Sequence, residues 1–174
     1  MTMERRVSLE EILGDREWRR EEQRRLIDKY KLPLVSLKLN IPGEIKSNSL
    51  YIKIINAGIN SFFREIEGKA IEIIWNKCYY KDEGPIFMGV LNGDSYTLKR
   101  LTISIEESHP LGRLFDFDVW ENNDHQLSRR ELGYGYRKCF ICEENAFLCA
   151  RSRKHSIDEL LDKINKEAVA YFST

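Results

Sequence analysis

The chain is poor in several things that would decide its class at once. Its 174 residues include only four cysteines and three histidines, and 28 Lys+Arg are matched by 28 Asp+Glu. So few thiols cannot make a disulfide scaffold, and reduced cysteines are expected. Zero net charge leaves no global field to draw the molecule onto nucleic acid or an anionic membrane, so any such attraction must be local. No apolar run is longer than Ala168 to Phe172, far short of a bilayer span. The opening stretch, Met1 to Ser8, carries charge where a signal peptide needs its apolar core, which makes the cytoplasm the expected compartment. Phosphate-binding loop motifs are missing too. Gly43-Glu-Ile-Lys46-Ser47 lacks the Gly-Lys step of a P-loop, and no G-x-G-x-x-G occurs.

What is present is a soluble, globular composition, 42% apolar and 32% charged, with no repeat, low-complexity tract or linker. Ser8 and Glu11 form a capping box for a short helix that Gly14 should interrupt, after which Asp15 can cap a second helix to about Lys31. Leu34 to Leu39 alternates as a strand. Tyr51, Ile54, Gly58, Phe62 and Ile66 draw a helical stripe between Asn48 and Glu67. Strands are expected over 70–80, 86–91 and 98–106, although the stretch around Asp94 could hold a helical turn. Ser156 and Glu159 form a second capping box, opening a C-terminal helix. The reading is one α+β domain over 1–174, a central mixed or antiparallel sheet with helices at both chain ends. A nucleotidyltransferase-like arrangement is one form this could take.

Strict alternation in Leu114-Phe-Asp-Phe-Asp-Val-Trp120 puts Asp116 and Asp118 on one strand face, spaced to converge on a divalent cation. If 98–106 pairs antiparallel with that strand, matching the apolar sets brings Glu106 to the same face. Three acids beside the Pro110-Leu-Gly112-Arg113 turn suit Mg²⁺-assisted phosphoryl or nucleotidyl transfer, though a solvated polar strand face explains the pattern equally well. His109 could move a proton or simply brace the turn. Between 102 and 125 six acids face one base, whereas 128–155 holds Arg129, Arg130, Arg137, Lys138, Arg151, Arg153 and Lys154 against three acids. An acid block followed by an arginine block fits a polyphosphate ligand, as it also fits paired surface charges. Cys139, Cys142, Cys149 and His155 make a chemically complete tetrahedral set for Zn²⁺ at a spacing that is not a standard finger; a redox pair and unligated core thiols remain open. Cys78 reads as core.

Ser108-His-Pro-Leu-Gly-Arg-Leu-Phe-Asp-Phe-Asp-Val119, Leu127-Ser-Arg-Arg130, Arg137-Lys-Cys-Phe-Ile-Cys142 and Cys149-Ala-Arg151 ahead of His155 resemble the signature blocks of the CitX family, the citrate lyase holo-acyl-carrier-protein synthases. Pro33 to Ser36, and Pro42-Gly43 with Lys46, also fit. The resemblance implies transfer of a phosphoribosyl-dephospho-CoA group from its triphosphate, triphosphoribosyl-dephospho-CoA, to a serine of the citrate lyase acyl carrier subunit, with release of pyrophosphate. It implies neither nucleic-acid nor membrane partners. On this reading Asp116 and Asp118 hold Mg²⁺, Glu106 is a third ligand or base, and His109 is a further catalytic candidate. Arg113 clamps phosphate, with Lys46, Arg129, Arg130, Arg151 and Arg153 as further candidates for phosphate or the carrier. Two alternatives stand beside it, a non-enzymatic zinc-stabilised carrier binder and a transferase of an ordinary phosphopantetheine arm.

Overall fold

The computed structural model describes residues 4–174; Met1 to Met3 of the expected charged opening lie outside the described residues. Five helices, α1 (Leu9–Tyr30), α2 (Ser49–Glu67), α3 (Ser95–Ser108), α4 (Ala146–Ser152) and α5 (Ile157–Phe172), surround five strands. These are β1 (Leu34–Leu39), β2 (Glu72–Lys81), β3 (Gly84–Asn92), β4 (Phe115–Trp120) and β5 (Gln126–Leu127), all antiparallel in the order β2-β3-β1-β4-β5. The chain is thus a single α+β domain, and its sheet is antiparallel rather than mixed. No helix among the described residues is long and apolar enough to cross a membrane.

Alternation sorts the central strands into two faces. Val35 and Leu37 of β1 and Phe115, Phe117 and Val119 of β4 enter one core with Ile54, Phe62 and Ile66 of α2, Leu98, Leu101 and Ile105 of α3, and Ile164 and Ala168 of α5. α2 lies close because residue 58 is glycine: a Cβ there would come within 2.9 Å of Leu37 and 3.0 Å of Phe115. The opposite face, covered by α1, is graded. At one end Leu34, Met88, Val90 and Trp120 pack against Leu26 and Ile27 of α1. At the other, the same strands present Ser36, Lys38, Asp116 and Asp118, with Lys38 opposite Asp116 and Ser36 opposite Asp118. The sparse apolar stripe of α1 therefore docks one end of the sheet, while its charged N-terminal half covers the polar end.

Two sequence expectations fail here. α1 runs unbroken through Gly14: one helical glycine costs about 1 kcal/mol, and the Ser8–Glu11 capping box forms at the helix start. Asp15, expected as a cap, instead binds Arg19 at 2.8 Å and Lys81 at 2.6 Å. Residues 98–106 are helix, not strand: Asp94 caps α3 through Thr97 N–H, and Leu98, Leu101, Thr102 and Ile105 follow helical spacing. Ile103 is buried as well, leaving Tyr96, Arg100, Ser104 and Glu107 as a narrow exposed stripe. With Leu101, Ile103 and Ile105 all apolar and all buried, the wide buried face mimics period 2, which is why the alternation misled.

Candidate functional site

With α3 helical, the strand-parity argument for Glu106 falls, and the side chain reaches β4 by another route. Among the described residues no strand pairs with the outer edge of β4 beyond β5, so its backbone needs other partners. Glu106 Oε1 accepts from Phe117 N–H (2.9 Å), Lys99 Nζ donates to Phe117 C=O (3.3 Å), and Arg137 Nη2 donates to Phe115 C=O (2.6 Å). Glu106 Oε2 pairs with Arg129 at 2.6 Å, the two side chains only 5% and 14% exposed. Glu106 therefore spends one oxygen on closing the sheet edge and the other on Arg129, which also pairs with Glu107 at 2.9 Å. Burial lowers the Lys99 pKa despite the opposing attraction of Glu106 and Asp118.

The aspartate pair shares the face that alternation assigned to it. Lys38 bonds Asp116 and lies 3.6 Å from Asp118; Arg137 Nη1 is 3.3 Å from Asp116, and Gln126 donates to Asp118 at 2.7 Å. Burial works against each charge, with different outcomes. Lys38 stays above its ordinary pKa because both carboxylates outweigh desolvation. Asp116 is held below its ordinary value by Lys38 and Arg137 against burial, whereas burial and the neighbouring Asp116 push Asp118 up in spite of Lys38. One aspartate is a fixed anion and the other a more basic carboxylate, a difference that arises when like charges share a site.

Lys38 and Asp116 of this cluster line a cavity of about 190 Å³ between α1 and the sheet, with Arg16 and Arg19 of α1, Lys46, Asp15 and Glu83; Asp118 adjoins it through Lys38. Lys46, expected as a phosphate ligand, is thus brought beside the acids; its Nζ donates to Ile41 C=O at 2.5 Å, and burial and Arg16 lower its pKa. Asn40 lines both this cavity and a larger, mainly apolar one of about 620 Å³ between Leu114, Phe140, α4 and α5. Lys38, Arg16 and Arg19 were not singled out from sequence, and Arg137 was named only as a member of the arginine block and a family signature block. For Lys38 the signal was available, since alternation in β1 puts it on the polar face with Ser36.

Other expected residues lie elsewhere. His109 packs between Phe115 and Tyr171 at ring separations of 5.0 and 5.1 Å, on the apolar side of β4, and its Nδ1 accepts from Leu111 N–H. It does not meet the aspartates, and burial lowers its pKa. Arg113 donates to the carbonyls of Lys138 and Cys139, both at 2.7 Å, and pairs with Glu143 at 3.1 Å, so it ties the turn to the cysteine segment. Arg130, Arg151 and Arg153 are exposed and form no ion pair among the described residues. Cys139, Cys142, Cys149 and His155 do come together, each offering a ligand atom within 4.8 Å of all the others, a possible Cys₃His metal site.

The antiparallel α+β scaffold thus carries a cavity lined by four cations and three carboxylates, in which Arg19 pairs with Asp15 and Lys38 with Asp116. A family model described as apo-citrate lyase phosphoribosyl-dephospho-CoA transferase, CitX, matches residues 7–171, and the chain belongs to that family. It is 34% identical over 161 residues to a probable apo-citrate lyase phosphoribosyl-dephospho-CoA transferase of Vibrio cholerae serotype O1 (strain M66-2), covering 92% of this chain and 90% of that one. The transferase of that name from Escherichia coli O1:K1 / APEC is 33% identical over 158 residues, covering 91% and 86%. Protein CitXG of Leuconostoc mesenteroides subsp. cremoris is 37% identical over 169 residues; the match covers 92% of this chain but 35% of that longer protein.

Proposed function

We propose that this protein transfers the phosphoribosyl-dephospho-CoA group from its triphosphate precursor to a serine of the citrate lyase acyl carrier subunit, releasing pyrophosphate. The observation that carries the reading is the family match over residues 7–171, which includes every residue of the polar cluster. It favours an enzyme over a passive carrier binder. In the proposed reaction the serine oxygen attacks the phosphorus nearest the ribose, the bond to the next phosphate breaks, and pyrophosphate leaves with that electron pair. Lys38, Lys46, Arg16 and Arg19 supply positive charge where the triphosphate and the departing pyrophosphate would lie. The neighbouring 620 Å³ cavity would take the organic part of the precursor. Asp118, the more basic carboxylate, accepts the serine proton, and Asp116 holds Lys38 in place.

Mg²⁺ between Asp116 and Asp118 fits these residues poorly, because the Lys38 ammonium already sits between the two carboxylates. No step is assigned to it. The arginines divide by their bonds. Arg129 and Arg113 act through the sheet edge and the cysteine segment, and the unpaired Arg130, Arg151 and Arg153 are proposed to face the carrier subunit, where exposed charge steers association. His109 braces the turn.

The test is the initial rate of pyrophosphate release in the presence of apo carrier, followed against pH. A base must be ionised to act, so the rate should climb with pH through the raised Asp118 pKa, while Asp116 stays ionised across that range. Asp118→Asn should abolish this acid limb and slow the reaction by roughly 10²–10⁴-fold. An unchanged limb in the variant would remove Asp118 from the base role, and carrier-independent release would contradict the transfer.

A further inference from the structure

The sulfur-rich segment between Arg137 and His155 is anchored to the domain by Arg113 and by Phe140 on the main core, but has little regular structure of its own. Its regular structure is an isolated bridge between Lys138 and Asn145 and the seven-residue α4, capped by Asn145. The apolar side chains of α4 do not supply a core of their own: Phe147 and Leu148 are 67% and 59% exposed. What converges inside is instead Cys139 and Cys149, both buried, with Cys142 and His155 beside them. Cys142 Sγ and Cys149 Sγ are 3.4 Å apart, and Ile141 N–H points at Cys139 Sγ at 3.5 Å, as backbone amides do toward a thiolate in a tight turn. The backbone is shaped for that turn. Glu143, just after Cys142, has φ +63°, and Cys139 N–H donates to Glu144 C=O across it. His155 Nε2 is buried with no hydrogen-bond partner, a desolvated polar atom that the protein alone leaves unsatisfied.

We propose that Cys139, Cys142, Cys149 and His155 bind one structural Zn²⁺, which cross-links residues 138–155 and so fixes the wall of the large cavity. Tetrahedral zinc with bonds of about 2.3 Å to sulfur and about 2.0 Å to nitrogen spaces its ligands by roughly 3.4–3.8 Å, so contraction from the present separations is small. Four protein ligands leave no open position, which makes the site structural and not hydrolytic. Its reach extends to the turn that leads into β4, because the carbonyls of Cys139 and of Lys138 just before it are the acceptors of Arg113. Cys139, Cys149 and His155 also line the large cavity. The inference does not depend on the transfer reaction.

The experiment is metal analysis of the full-length protein purified under reducing conditions without chelator, followed by exchange with Co²⁺. About one equivalent of zinc is expected, and the cobalt form should show sulfur-to-metal charge transfer with tetrahedral d–d bands. Chelation should expose three further thiols to a thiol reagent and speed amide exchange across 138–155 by at least ~10²-fold, with β1 and α2 unaffected. His155→Cys should keep the metal, His155→Ala should weaken binding by at least roughly tenfold, and Cys78→Ser, a change in β2, should leave stoichiometry unchanged. Zinc below about 0.1 equivalent with a silent cobalt spectrum would overturn the proposal, and so would a Cys142–Cys149 disulfide in protein purified in this way.

Discussion

Glu106→Ala lowers the unfolding free energy by about 3–5 kcal/mol, the cost of stripping one partner from a buried ion pair. Two groups lose a partner at once: the Arg129 guanidinium at 2.6 Å, which keeps only the exposed Glu107 at 2.9 Å, and the Phe117 amide at 2.9 Å. The Phe117 amide cannot turn to water without opening the edge of β4. In a domain of this size the loss should appear as a fall in Tm of on the order of 10 °C. Glu106→Gln, which can still accept from Phe117 N–H, should lose less. Arg129→Ala in the Glu106→Ala background should cost less than in the parent, since the arginine has by then lost its buried partner and keeps only the exposed Glu107. Thermal or denaturant unfolding of the four proteins closes this cycle. Additive losses would mean that the two side chains are not coupled, and that Glu106 had been free for chemistry after all.

Lys38→Met should leave the fold standing and remove most of the transfer activity, by roughly 10²–10³-fold, the usual cost of deleting one preorganised charge from an anion-stabilising site. The side chain lies on a central strand opposite Asp116, and methionine preserves much of its volume. What disappears is the positive charge between two acids. Without it Asp116 and Asp118 repel, protonation of the pair becomes easier, and the acid limb of the rate profile should move to higher pH as well as fall in height. A loss confined to KM would assign Lys38 to ground-state binding alone. An unchanged kcat/KM would show that the cavity under α1 is not where the transfer occurs.

Legibility in the sequence followed the range of the interaction. Both capping boxes are local codes, and both helix starts, at Leu9 and Ile157, stand where Ser8 and Ser156 put them. Alternation in β4 likewise placed Asp116 and Asp118 on one face, and four ligand atoms close in sequence did converge. Errors arose where burial erased period, as in α3, or where a single glycine was weighed against a well-capped 22-residue helix. The fates of Arg113 and Arg129 were out of reach for another reason. Their acceptors, the Lys138 carbonyl and the Glu106 carboxylate, are 25 and 23 residues away, and nothing local distinguishes a guanidinium that braces the fold from one that binds a ligand. Lys38 shows the converse: its face was readable from β1, yet its importance emerges only once β4 is set beside it.

The central claim is that a specific prosthetic group is transferred by the cluster of Lys38, Asp116 and Asp118. Intact-mass measurement of apo carrier after incubation with the triphosphate precursor and either wild-type protein or Lys38→Met tests it directly. The account predicts that the wild type raises the carrier mass by the whole phosphoribosyl-dephospho-CoA group, while the variant leaves nearly all carrier unmodified over the same interval. A smaller, phosphopantetheine-sized adduct, or no adduct from wild-type protein with intact precursor, would contradict it.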